Sequence, residues 1–187
     1  MSVKKELIQY YQWLRQYGIN DSHSGNASVR DGDIIWVTPT GACADTLQTN
    51  ELIECRIGQP APVGASLDAA LHLAVYEKNP HLNAVLHSHG AHVVALTLNG
   101  KDFIPADFEG GYYFSKVPVI CLDDDKIISG APEAVSDALC NNKAAVVCKH
   151  GVYAAAENLN LAYKWSCSLE LSAKTTFIAQ QAGTLPP

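Results

Sequence analysis

A layered α/β fold is what this sequence predicts, and three observations predict it. Short apolar strands alternate with helical segments, Pro and Gly punctuate the junctions, and no repeat or low-complexity tract interrupts the series. At 187 residues the chain supports one compact core, so residues 1–187 read as a single domain. A hydrophobic content of 48% with 17% charged residues is that of a globular protein. The formal charge of −6 gives no electrostatic reason to bind nucleic acid or an anionic membrane.

Residues 3–17 place Leu7, Tyr10, Tyr11 and Leu14 at helical spacing, with Gly18 as the stop. The polar turn NDSHSGN leads to two extended segments, NASVR and DIIWVTP, joined at Asp31-Gly32, a hairpin signal. ELIECRI reads as a strand and GQPAPVGAS as a loop. A helix over about residues 67–78 ends at Asn79-Pro80, because the residue before a proline is pushed out of the helical region. An apolar strand at 83–89 follows, then a short helix, AHVVALTLNG, ending at Gly100, and the loop KDFIPADFEGGYYF. VPVICL reads as a buried strand, and APEAVSDALC as a helix with Pro132 in its first turn. The strand AAVVCKHG and a return strand VYAAA precede a long helix over about 159–181, whose stripe is Trp165, Leu169, Ala173 and Phe177.

The amphipathic N-terminus MSVKKELIQYYQWL lacks an apolar signal core, and no window reaches the roughly 20 apolar residues of a membrane span. A soluble, cytoplasmic protein is expected. Cys43, Cys55, Cys121, Cys140, Cys148 and Cys167 form no CxxC pair and read as reduced thiols, with Cys148 on the same strand face as His150.

The chemistry concentrates in VLHSHG, residues 85–90. Residues i and i+2 of a strand share a face, so His87 and His89 project together. A second apolar strand ends alike, in AVVCKHG, which adds His150. Three neutral imidazoles with an open fourth position suit a catalytic Zn²⁺, while a bare HxH pair on a solvated strand would need no ion. His23, His72, His81 and His92 lack such pairing and read as structural or surface residues.

Taken together, these motifs resemble the class II aldolase/adducin family over nearly the whole chain. The resemblance rests on Ser24-Gly25-Asn26 before NASVR, Thr38 to Gly41 as Thr-Pro-Thr-Gly, Asp68 before LHLAVY, the His-x-His pair and the late His-Gly. It implies a three-layer αβα sandwich around a mostly antiparallel sheet, and a homotetramer with active sites between neighbouring subunits. It also implies a divalent metal, zinc or else Mn²⁺, Co²⁺ or Fe²⁺, held by His87, His89 and His150. The substrate class it implies is a small sugar or sugar phosphate. The metal would act as a Lewis acid that stabilises an enediolate, with retro-aldol cleavage foremost and dehydration or epimerisation as neighbouring reactions.

Within that family pattern Asp68 stands at the place of the acid/base carboxylate, where glutamate is commoner and aspartate marks the sugar-phosphate epimerases. It also suits the N-cap of the following helix. Glu109, in IPADFEGGYY, is the second candidate acid/base, by likeness to a dehydratase branch with glutamate in the comparable loop; an exposed loop acid is the plain alternative. Gly25, Asn26, Thr40, Gly41 and Ser66 match positions that bind a substrate phosphate. Leu67 replaces the second serine of the family's Ser-Ser pair, which removes a hydroxyl donor. The chain ends at Pro187, without the tail tyrosine of longer aldolases. An adducin-like, non-catalytic interaction module is the reading from another class, and the retained histidines and acid speak against it.

Overall fold

The computed structural model describes residues 2–185. Helix α1 (Val3–Gln16) is followed by β1 (Asn26–Asp31), β2 (Ile34–Val37), β3 (Ile53–Cys55), α2 (Ala69–Lys78), β4 (Ala84–Ser88), α3 (Ala91–Leu96) and α4 (Phe108–Tyr113). Then come β5 (Val119–Ile120), a 3₁₀ turn at Asp124–Lys126, α5 (Ile127–Ala138), β6 (Ala144–Val147), β7 (Gly151–Ala156) and α6 (Leu159–Ala182). The strands form one seven-stranded sheet in the order β3-β2-β1-β4-β7-β6-β5. Every neighbouring pair is antiparallel except β5 with β6, so the sheet is mixed.

Strand alternation decides what each face buries. Val85, Tyr153, Ala155, Ala145 and Val147 point to one side, where they pack with Leu71, Val75 and Tyr76 of α2 and Val135 of α5. Ala84, Leu86, Ala27, Val29 and Ala156 point to the other, against Leu7, Tyr11 and Leu14 of α1 and Ala162 of α6. Farther along that second face, Val146, Val152 and Ala154 meet Val93 of α3 and Leu169 and Ala173 of α6. The result is helix, sheet, helix. Each large side chain buried this way contributes roughly 1.5–3 kcal/mol. Among the described residues no helix is long and apolar enough to cross a membrane.

Several local expectations are corrected. Pro132 lies inside α5, which starts at Ile127; the proline costs the Ile128 carbonyl its helical partner, but Ile128 is exposed and water can take that place. VPVICL contributes only Val119–Ile120, a half-buried parallel edge strand rather than a buried one. The loop at 101–114 contains the short helix α4, capped by Asp107, whose carboxylate accepts from the Gly110 N–H at 2.8 Å. The stripe on α6 fades at its end, where Phe177 is 39% exposed.

Candidate metal centre

His87 is the last inward-facing residue of β4, on the α2 side of the sheet, and His89 lies just past the strand end. His150 comes from the turn between β6 and β7 rather than from a continuing strand. Lys149, with φ 64, breaks the alternation there. That turn separates Cys148 from His150: the Cys148 thiol points to the carbonyls of Thr97 and Leu98, at 3.6 and 3.7 Å. All six cysteines are free.

One ligand atom from each of His87, His89 and His150 lies within 4.8 Å of the other two. Their electrostatics suit a cation. Burial pushes His87 down to about 3, with His89 and His150 adding to the effect, and burial followed by His150 lowers His89 as well. Neutral imidazole is the form that binds a metal. The Nδ1–H of His87 donates to the Val152 carbonyl at 3.0 Å, which turns its Nε2 lone pair toward the cluster. The Nε2 atoms of His87 and His89 are 2.9 Å apart, a separation that two lone pairs accept only with a proton or a cation between them. The Nδ1 of His150 is buried without a partner. The residues present therefore fit a divalent metal held by three imidazoles.

Asp68 sits beside the cluster, its Oδ2 3.7 Å from the His87 Nε2. It occupies the N-cap position of α2 but makes no capping hydrogen bond. Its Oδ2 instead accepts from the Asn26 amide at 2.8 Å and from the Tyr153 hydroxyl at 2.9 Å. Burial alone would raise its pKa; His87, the Asn26 amide, His72 and Tyr153 outweigh burial and lower it, so the carboxylate is ionised. Tyr153 also stacks on the His87 ring, with centroids 4.1 Å apart and planes 7° from parallel. Beneath Asp68, His72 is fully buried, with its Nδ1 2.6 Å from the Ser28 Oγ. Burial pushes His72 down to about 4, against the pull of Asp68.

A cavity of about 640 Å³ opens over these groups, lined in part by Gly25, Asn26, Thr40, Gly41, Ser66 and Asp68 together with the three histidines. Gly25 (φ 68) is needed for approach as well as for backbone angle, since a Cβ there would lie 2.4 Å from both the Asn20 Nδ2 and the His87 carbonyl. Asn20 accepts from the His89 N–H at 2.8 Å and so holds the second histidine in place. Glu109 does not line this cavity. It lies on α4, where its carboxylate accepts from the Tyr113 hydroxyl at 3.0 Å.

Sequence reasoning missed Asn20 and Tyr153, whereas His72, read as a structural or surface histidine, is buried against Ser28. Tyr153 is placed by its cross-strand register with His87, which no local pattern encodes. His23 also lines the cavity, and His92 pairs with Glu170 at 2.6 Å.

Residues 5–177 match the family model for the class II aldolase and adducin N-terminal domain. The chain is 27% identical over 179 residues to the L-fuculose phosphate aldolase of Methanocaldococcus jannaschii, covering 94% of this chain and 96% of that protein. It is 24% identical over 195 residues to the L-ribulose-5-phosphate 4-epimerase of Salmonella paratyphi C, covering 95% and 85%. The structure superposes on the L-fuculose-1-phosphate aldolase of Thermus thermophilus with a TM-score of 0.91 and 26% identity, covering 99% of this chain and 97% of that one. With that match spanning most of its length, the chain belongs to the class II aldolase and adducin family.

Proposed function

We propose that the protein is a divalent-metal-dependent lyase that cleaves a small ketose or ketose phosphate by retro-aldol chemistry. The observation that carries this reading is the ionised Asp68 carboxylate 3.7 Å from the His87 Nε2, at the edge of a cluster of three imidazoles. A bound zinc, or Mn²⁺, Co²⁺ or Fe²⁺, supplies Lewis-acid polarisation of a substrate carbonyl and hydroxyl.

The chain's own groups do the rest. Asp68 Oδ2 takes the proton of the hydroxyl whose carbon–carbon bond breaks, and returns a proton to the carbanionic fragment. Asn26 and Tyr153 hold that oxygen in place by donating to it, and the Tyr153 ring fixes the tilt of His87. Gly25, Thr40, Gly41 and Ser66 line the space for the substrate's far end.

Glu109 acts as a second acid/base across a subunit boundary in a homotetramer. It lies outside its own chain's cavity, beside Phe108 and Tyr112, which are 90% and 77% exposed. Epimerisation is the second reading, favoured by aspartate at position 68 and by the likeness to the ribulose-phosphate epimerase.

The test is a ketose-phosphate panel with the zinc-loaded protein, read for release of dihydroxyacetone phosphate or a small aldehyde. Cleavage supports the lyase and epimer formation without cleavage the second reading. A protein that holds no metal refutes both. His150→Ala separates either enzyme from an adducin-like module, since it abolishes metal binding and turnover but leaves a scaffold's partner binding intact.

A further inference from the structure

Two thiols meet at the edge of the sheet, and the activity proposed above uses neither. β5 and β6 run parallel, with Val119 opposite Val146 and Ile120 opposite Val147, so the next pair in that register is Cys121 and Cys148. The pairing reaches that far, because the Cys148 N–H donates to the Ile120 carbonyl at 2.9 Å. Neighbouring strands lie about 4.7–4.9 Å apart, inside the span of roughly 4.4–6.8 Å between α-carbons that a disulfide bridges.

The side chains agree with the backbone. Val119 and Val146 face the α3 side of the sheet, and residues two further along a strand keep that face. Both thiols accordingly end on one turn after α3. The Cys148 Sγ lies 3.6 and 3.7 Å from the Thr97 and Leu98 carbonyls, and the Cys121 Sγ 3.9 Å from the Gly100 carbonyl. The Gly100 N–H closes that turn on the Thr97 carbonyl at 2.9 Å. Gly100 leaves the room that the Cys121 sulfur fills, since a Cβ there would lie 2.6 Å from it. After burial, the Cys148 thiol is the next cause of the raised Cys121 pKa, so the two sulfurs are within reach of each other.

Access differs between them. Cys121 is exposed and Cys148 half-buried, so one sulfur meets solvent and the other stands behind it. By contrast Cys55 is buried, and the exposed Cys140 turns its thiol to the Ser136 carbonyl of α5 at 3.4 Å.

We propose that Cys121 and Cys148 are a redox-active pair, which a low-molecular-weight disulfide oxidises to an intramolecular disulfide. The Cys121 thiolate attacks one sulfur of the reagent, forms a mixed disulfide and expels one thiolate; the Cys148 thiolate then attacks the Cys121 sulfur, closes the protein disulfide and expels the second. Two protein thiols give up two electrons and two protons, and the reagent is reduced to two thiols. The bond ties β5, an edge strand paired through Val119 and Ile120, to β6 and closes residues 121–148 into a loop. Asp124, Ile127 and Ile128 of that loop line the cavity, and Lys149 and His150 follow it directly, so the bond fastens one wall of the cavity at its base. The pair stands independently of the lyase reading.

The raised Cys121 pKa slows the first attack at neutral pH, so the test is run at about pH 8.5. The folded, zinc-loaded protein is incubated with oxidised glutathione, its remaining thiols are alkylated, and the products are read by intact mass and peptide mapping. The expected result is two fewer alkylated thiols, the Cys121 and Cys148 peptides linked, and full reversal by dithiothreitol. Cys148→Ser retains a glutathione adduct on Cys121 because the resolving thiol is gone, and Cys140→Ser closes the same link as the wild type. Stable glutathione adducts on both cysteines, two unmodified thiols, a link to any other cysteine, or a link that forms only in urea overturns the proposal. The wild-type map decides among these outcomes by itself, whether or not a variant folds.

Discussion

Gly151→Ala gives the sharpest structural prediction, because it crowds the candidate metal-binding histidines without replacing one. A Cβ at position 151 would lie 2.5 Å from the Ser88 carbonyl oxygen, 2.7 Å from the His89 Cδ2 and 2.9 Å from the His87 Cε1. Carbon atoms rest at roughly 3.5–4.0 Å, so the two rings must retreat by at least about 0.6–0.8 Å. Metal–nitrogen distances tolerate only about ±0.2 Å. The Ser88 carbonyl is strand backbone paired to β7 and cannot swing aside. The expected cost is about 1–3 kcal/mol of stability from overpacking, together with a 10–100-fold loss of zinc affinity from displaced ligands. Chelator competition with a zinc indicator reads the affinity, and urea denaturation of the metal-free protein reads the stability. Gly111→Ala is the control: nothing lies within 4 Å of its added Cβ, so it is neutral or mildly stabilising. Zinc affinity within twofold of wild type in Gly151→Ala would refute the reasoning.

Tyr153→Phe keeps the ring on His87 and removes the hydroxyl from Asp68; a hydrogen bond to a charged acceptor is worth roughly 1.5–3 kcal/mol. Turnover is expected to fall about 10–100-fold with metal content unchanged, and undiminished turnover contradicts Asp68 as the base. His72 has a folded pKa of about 4 against 6.5 for an ordinary histidine, so between those values the unfolded chain holds a proton that the folded one does not. Stability from this group is complete above about pH 6.5 and falls on acidification toward pH 4, by up to about 3 kcal/mol. His72→Gln in the metal-free protein should flatten the dependence of Tm on pH in that window, and an unaltered profile speaks against a neutral buried His72. Asp107→Ala removes the cap of α4, with about 0.5–2 kcal/mol lost in a urea titration; no shift in midpoint means the cap is idle.

What could be read in the sequence was whatever local periodicity records. The faces of α1 and α6, the hairpin at Asp31-Gly32 and the His87/His89 pair follow from spacing within a few residues. His150 needed the second His-Gly and the family likeness, because the turn at Lys149 rather than strand alternation aims it. The partners of Asp68 were out of reach. Asn26 meets it from β1 and Tyr153 from β7, through sheet register that depends on residues 85 positions apart in the case of Tyr153. Pro132 misled because a proline at the first helical turn and one inside an exposed helix look alike in sequence; only the packing of Ala131 and Val135 under α2 separates them. VPVICL is apolar enough for a central strand, yet only Val119–Ile120 pairs with a strand, β6, and Val117 makes no more than an isolated bridge to Phe103. Composition does not tell an edge from a centre.

The most direct test is X-ray absorption at the zinc edge on the purified, zinc-loaded protein beside His150→Ala. The wild type is predicted to bind about one ion per chain with three nitrogen ligands at roughly 2.0–2.1 Å, and the variant to lose one of the three. A spectrum with fewer than three histidine nitrogens in the wild type, or one unchanged by His150→Ala, would contradict the three-imidazole centre on which the account stands.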